Sequence, residues 1–141
     1  MRFWDSSALI PLLVHEERSA ELRQFPPEDI VVWWASGVEC ASALARLERN
    51  GRQGAGFAVL YGILEQAQRG WSVIAPGEEI KALAIRLVRV HPLRAADALQ
   101  LAAAILAAQY RPVTLPFVCL DERLRTAATK EGFPLLPASS E

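Results

Sequence analysis

The sequence predicts an α/β domain with a mostly parallel central sheet. Short apolar segments rich in β-branched and aromatic residues alternate with longer segments of helical periodicity, which is the pattern of parallel strands joined by helical crossovers. The chain has 141 residues, of which 52% are hydrophobic and 22% charged, as is typical of a globular protein. We therefore expect a single domain over residues 1–141.

Five short apolar segments are the predicted strands. The segment at residues 30–34 is the clearest, because its β-branched and aromatic side chains favour a buried strand. The first segment ends directly before Asp5. In chain order, the predicted strands are residues 2–4, 30–34, 71–74, 117–120 and 134–136.

The helices of the N-terminal half are predicted from their caps and breakers. Ser6 or Ser7 can cap a helix that runs to residue 13, with Pro11 tolerated in its first turn. A polar helix over residues 16–24 follows and ends before a Pro-Pro pair. Two further helices are predicted over residues 36–50 and 54–69, each closed by a glycine.

The C-terminal half contains the most regular helical pattern of the chain. Pro76 opens and Pro92 breaks a helix in which one apolar face recurs at helical spacing. The residues of that face are Ile80, Leu83, Ala84, Leu87 and Val88. Residues 95–108 predict a helix that is apolar on nearly all sides and lies in the core, and residues 122–130 predict the last helix.

Charge and cysteine usage narrow the class of protein. The formal net charge of −1 excludes binding to nucleic acid by overall basic charge, so any polyanion site has to be local. Cys40 and Cys119 fit no zinc-ligand spacing and are expected to be buried thiols in a reducing compartment. No secretory signal is recognisable, and no apolar run reaches the ~20 residues that a membrane span needs. We expect a soluble, cytoplasmic protein.

Aspartate is scarce, and its positions are informative. Asp5 and Asp121 directly follow predicted strands, while Asp97 and Glu39 lie near the starts of predicted helices. Ligands of open α/β sheets bind at the carboxyl ends of the strands, so these acids are expected at one edge. Several close carboxylates repel each other unless a divalent cation lies among them, and oxygen ligands of this kind suit Mg²⁺ or Mn²⁺. Taken singly, each acid is better explained as a helix cap or a first-turn residue, but four of them at one edge together favour a site.

Four segments resemble the motifs of the PIN-domain family. They are residues 3–9 (FWDSSAL), 38–44 (VECASAL), 94–102 (RAADALQLA) and 119–121 (CLD), and the third is the most specific. Their order and spread cover nearly the whole chain. The chain, with the length of a single domain, also resembles the VapC toxins of bacterial toxin–antitoxin pairs.

The resemblance implies a three-layer α/β/α sandwich and a Mg²⁺- or Mn²⁺-dependent endoribonuclease. By position, the metal-binding and catalytic acids would be Asp5, Glu39, Asp97 and Asp121. They would hold one or two ions, and a metal-activated water would hydrolyse the RNA phosphodiester. The resemblance also implies inhibition by a cognate antitoxin and a homodimer.

Several residues around these acids carry secondary expectations. Ser7 matches a small polar residue that supports the site in relatives, whereas Cys119 stands where many relatives have Thr or Ser. A thiol is a poorer hydrogen-bonding group than a hydroxyl, which predicts weaker support of Asp121. Arg46 and Arg94 are candidate contacts to RNA phosphate. Three tryptophans could stack on bases, but their strand positions favour core or dimer contacts: Trp33, Trp34 and Trp71.

Other classes of function remain open at this point. A PIN-like fold with little or no catalysis could act as an interaction module. A phosphoacceptor receiver-like domain also clusters acids at strand ends, but it predicts adjacent acids after the first strand and a late lysine on a strand. Here Ser6 follows Asp5, and Lys81 and Lys130 lie on predicted helices. A haloacid-type phosphatase would need Asp where Ser7 stands.

Overall fold

A five-stranded parallel sheet forms the centre of the fold. The computed structural model describes residues 1–51 and 56–139. The strands are β1 (Arg2–Trp4), β2 (Ile30–Trp33), β3 (Ser72–Ile74), β4 (Phe117–Val118) and β5 (Leu135–Leu136). Their order is β3-β2-β1-β4-β5, and every neighbouring pair is parallel. The predicted α/β class is confirmed, and the sheet is wholly rather than mostly parallel.

Helices cover both faces of this sheet. They are α1 (Ser6–Leu13), α2 (Ser19–Arg23), α3 (Ser36–Arg49), α4 (Phe57–Gln68), α5 (Glu78–Val90), α6 (Ala95–Ala107) and α7 (Glu122–Lys130). Phe3 packs with α5, α6 and α7 on one face, whereas the next residue, Trp4, packs with α1–α4 on the other. This alternation along β1 produces two apolar clusters and the predicted three-layer α/β/α sandwich.

The α1–α2 region differs from the prediction of a polar helix over residues 16–24. The chain leaves α1 at Val14, and α2 occupies only Ser19–Arg23. The buried Ser19 hydroxyl accepts a hydrogen bond from the Glu16 amide at 2.8 Å and donates one to the Val14 carbonyl at 3.2 Å. These bonds give the backbone an alternative to a longer helix. Pro11 is the sixth residue of α1, beyond the first turn where we expected it, and α1 ends two residues later.

Several element boundaries and one face also differ from the prediction. The fourth strand stops at Val118 rather than residue 120, because the Leu120 amide bonds to the Ser7 hydroxyl instead of to a strand. Val88, expected on the buried face of α5, has 42% of its surface exposed. The predicted start of α4 at residue 54 lies outside the described residues. Within the described part of the chain, no helix has the length and apolarity needed to cross a membrane.

Candidate active site

An open cavity of about 530 Å³ contains all the acids predicted for the site. It lies where β1 and β4 end and where α3 and α6 begin. Ser7, Arg46 and Arg94 line the same cavity. The full lining is Asp5, Ser6, Ser7, Ile10, Val38, Glu39, Ser42, Ala43, Arg46, Arg94, Ala96, Asp97 and Asp121. We refer to it below as the acidic cavity.

The two aspartates that follow strands also cap helices. Oδ2 of Asp5 accepts a hydrogen bond from the Ser7 amide at 3.1 Å at the start of α1, and Asp5 is only 5% exposed. Oδ1 of Asp121 accepts one from the Leu124 amide at 3.0 Å at the start of α7. The capping role therefore holds for both residues, yet both line the acidic cavity. Capping uses one oxygen of each carboxylate and fixes its position.

Glu39 is held by Gln100, which is not among the site residues predicted from the sequence. It lies in the first turn of α3, and its Oε1 accepts a hydrogen bond from Nε2 of Gln100 at 2.6 Å. Gln100 is fully buried and also donates to the Ser36 hydroxyl at 3.2 Å. The available signal was an amide inside an apolar helix, one turn after Asp97.

Asp97 begins the most buried helix but is not itself enclosed by apolar side chains. It occupies the first turn of α6 and is partly exposed to the acidic cavity. The guanidinium groups of Arg94 and Arg123 lie near enough to lower its pKa, which opposes the larger effect of burial. The charge of Asp97 therefore lies in a polar cavity and not in the apolar interior that the rest of α6 occupies.

The acids influence one another's protonation. Burial raises the pKa of Asp5, and the charges of Asp97 and Asp121 raise it further against the hydrogen bonding of Ser7. Burial, together with the charges of Asp5 and Asp97, raises the pKa of Glu39 to about 7. Burial and then the charge of Asp121 raise the pKa of Asp97. These carboxylates therefore lie close enough for the charge of one to affect the protonation of another.

Ser7 and Cys119 connect the first and fourth strand ends. The Ser7 hydroxyl accepts a hydrogen bond from the Leu120 amide at 3.0 Å. The buried Cys119 sulfur lies 3.7 Å from Oδ2 of Asp5, 3.7 Å from the Ser7 hydroxyl and 3.6 Å from the Asp121 carbonyl. The thiol therefore supports Asp5 and the backbone of Asp121, and among the described residues it makes no hydrogen bond to the Asp121 carboxylate. Burial and then the charge of Asp5 raise its pKa, so the neutral thiol is the stable form.

The three candidate tryptophans and His91 differ in exposure and in location. Trp33 is 5% exposed and belongs to the core, whereas Trp34 is 61% exposed just beyond the carboxyl end of β2. Trp71 packs against the core cluster on the α1–α4 face. His91 is buried, with its Nε2 2.7 Å from Oε2 of Glu131, and it lies outside the acidic cavity.

The donor set suits a hard divalent cation. In the described ranges, no three side chains of His, Cys, Asp or Glu are already gathered as a metal-binding group. However, Asp5, Glu39 and Asp121 each commit one carboxyl oxygen to a hydrogen bond, and among the described residues the other oxygen accepts none. Carboxylate oxygens that share one cavity are ligands that Mg²⁺ and Mn²⁺ prefer.

The sheet order, the two helical layers and the position of the cavity define a PIN-domain fold. The chain is similar to FitAcB from Neisseria gonorrhoeae, with 20% identity over 96% of each chain and a TM-score of 0.66. FitAB bound to an IR36 DNA fragment has 18% identity over 96% of this chain and 94% of its own, also with a TM-score of 0.66. A toxin–antitoxin complex from Klebsiella pneumoniae has 16% identity over 86% and 87%, with a TM-score of 0.61. No family model and no curated protein matches the sequence.

Proposed function

We propose that the chain is a divalent-metal-dependent endoribonuclease. The observation that carries this proposal is the gathering of Asp5, Glu39, Asp97 and Asp121 around one open cavity. Carboxylates that raise one another's pKa are unfavourable unless a cation or protons neutralise them. The two arginines at the same cavity supply positive charge for a polyanionic substrate.

The residues of the cavity divide into two roles in this proposal. The four acids would hold Mg²⁺ or Mn²⁺, which when bound supplies a Lewis acid that stabilises phosphoryl charge and lowers the pKa of water. Arg46 on α3 and Arg94 before α6 would bind the phosphates that flank the scissile bond. Asp5 and Asp121 keep fixed positions because helix amides hold one oxygen of each.

The direct test is cleavage of bacterial total RNA by the purified chain. We expect cleavage with Mg²⁺ or Mn²⁺, loss of cleavage with EDTA, and recovery when excess Mn²⁺ is restored. Cleavage that persists in EDTA would contradict a metal-dependent mechanism. A chain that binds no Mn²⁺ in calorimetric titration and cleaves no RNA would instead fit the interaction module.

We also propose that the protein is the toxin of a type II toxin–antitoxin pair and is inhibited by a cognate antitoxin. The structural likeness to a toxin–antitoxin complex and to the Fit proteins supports this role. Expression of the wild-type chain should arrest bacterial growth. Co-expression of a small DNA-binding protein encoded beside it should restore growth, whereas arrest that is equal in the Asp97→Asn variant would separate toxicity from the acidic cavity.

A further inference from the structure

Gln100 is a polar exception in the most apolar helix of the fold. The other buried residues of α6 are Ala98, Leu101, Ala102, Ala103, Ala104 and Ile105. Gln100 is 0% exposed, and its amide nitrogen donates to Oε1 of Glu39 at 2.6 Å and to the Ser36 hydroxyl at 3.2 Å. Both amide hydrogens of its side chain are thus used to hold the first turn of α3.

The same side chain leaves one polar atom unsatisfied. Oε1 of Gln100 is buried and has no hydrogen-bond partner among the described residues. A buried acceptor without a partner lowers folding stability, and an apolar side chain of similar volume would avoid that cost. A residue that breaks the local pattern at such a cost is expected where function requires it.

We propose that Gln100 is a positioning residue that orients Glu39 for metal binding, an inference that rests on the proposed nuclease function. Its amide, anchored on Ser36, holds one Glu39 oxygen and leaves Oε2 as the oxygen available to a divalent cation. Because Gln100 lies one helical turn after Asp97, this bond also fixes the α3 carboxylate relative to the α6 carboxylate. Partners that orient ligands in this way tune metal affinity.

The test is a double-mutant cycle on Mn²⁺ affinity, measured by calorimetric titration without RNA. Gln100→Leu should raise the Mn²⁺ dissociation constant by about 10-fold or more, the usual cost of losing a partner that orients a metal ligand. Its thermal unfolding in EDTA should remain cooperative, which shows that the lost affinity is not a loss of the fold. Glu39→Gln should weaken binding further, and adding Gln100→Leu to it should cause no additional loss, because Gln100 acts through Glu39.

Gln100→Met and Gln66→Leu are the companion variants. Gln100→Met keeps the side-chain length, removes the amide and should behave like Gln100→Leu. Gln66→Leu removes an exposed amide on α4 and should keep wild-type affinity. Additive losses in the cycle, or wild-type affinity in both Gln100 variants, would overturn the inference while leaving the proposed function standing. A wild-type chain that binds no Mn²⁺ would overturn both.

Discussion

Glu39 combines partial burial with two neighbouring negative charges. Burial, Asp5 and Asp97 together raise its pKa from 4.5 to about 7, and the bond from Gln100 only partly offsets them. Between these two pH values the folded chain keeps a proton that the unfolded chain has already lost. The metal-free fold is therefore favoured at the acidic end of this window and loses that advantage as the pH rises through 7.

This linkage predicts a pH dependence of stability without metal. From pH 4.5 to pH 8 in EDTA, the melting temperature of the wild type should fall more steeply than that of Glu39→Gln, which cannot release this proton. Burial raises the pKa of Asp5 and of Asp97, so part of the slope should remain in the variant. Thermal melts of both proteins at several pH values measure this slope. Parallel curves for the two proteins would contradict the assigned pKa.

Trp34 is an exposed aromatic residue at which the proposed RNA substrate could stack. It directly follows β2 and precedes α3, the helix that contains Glu39, and it is 61% exposed. Stacking of a base on an aromatic side chain contributes ~1–3 kcal/mol. Trp34→Ala should therefore weaken RNA binding by about 10-fold, while Trp34→Phe should retain most of the affinity. Equilibrium RNA binding is measured with variants that also carry Asp97→Asn, so that the RNA is not cleaved. Equal affinities of the Ala and Phe variants would exclude stacking.

At the scale of elements, α7 is tied to two strand ends by one buried arginine. Nη1 of Arg125 donates to the Cys119 carbonyl at 2.7 Å and Nη2 to the Pro137 carbonyl at 2.9 Å. Arg125 is only 9% exposed. It thus fixes the chain that leaves β4, which is the segment that brings Asp121 to the acidic cavity.

Replacement of Arg125 should loosen this connection. Arg125→Met leaves buried carbonyls without donors, so we expect a loss of about 2–3 kcal/mol in the free energy of unfolding. The matched control is Arg123→Met, which removes an exposed arginine two residues earlier in α7 and should change stability little. Urea denaturation of both variants checks the difference, and equal midpoints would show that the Arg125 bonds contribute nothing.

The elements that sequence reasoning predicted are those with a strong local signal. The strands and α5–α7 follow from apolar runs, helical spacing and Pro or Gly breakers, and the glycine that ends α7, Gly132, adopts a positive φ of 103°. The early end of β4 depends on the Ser7 hydroxyl, which accepts from an amide 113 positions away in the chain. The short α2 depends on a local bond from the Glu16 amide to the Ser19 hydroxyl, which the polar pattern of this segment does not indicate.

The residues of the candidate site also include some that the sequence predicts and some that it does not. Asp5, Glu39, Asp97 and Asp121 could be placed because strand ends and helix starts meet at one edge of a parallel sheet. Gln100 contacts Glu39 across 61 positions of sequence, and Arg125 reaches the backbone of two strand ends. Neither kind of contact leaves a periodic pattern in the sequence, although a polar residue in an apolar helix does mark Gln100.

At the scale of the whole molecule, the net charge of −1 is compatible with an RNA substrate. Four of the acidic residues line one cavity that a cation can neutralise, together with two arginines. In the proposed function, the charge that RNA meets would be local and would depend on bound metal. Binding of RNA should accordingly weaken when the metal is removed.

The rate of Mn²⁺-dependent RNA cleavage by Asp97→Asn, compared with that by Asp29→Asn, shows whether the acidic cavity is the nuclease site. Both variants lose one negative charge, but Asp29 lies outside the acidic cavity and is half-exposed. Asp97→Asn should remain folded. Its cleavage rate should fall by more than the roughly 10–100-fold that is lost when only the hydrogen-bond partner of a metal ligand is removed. Asp29→Asn should cleave at the wild-type rate. Wild-type cleavage by Asp97→Asn would contradict the assignment of the acidic cavity as the nuclease site.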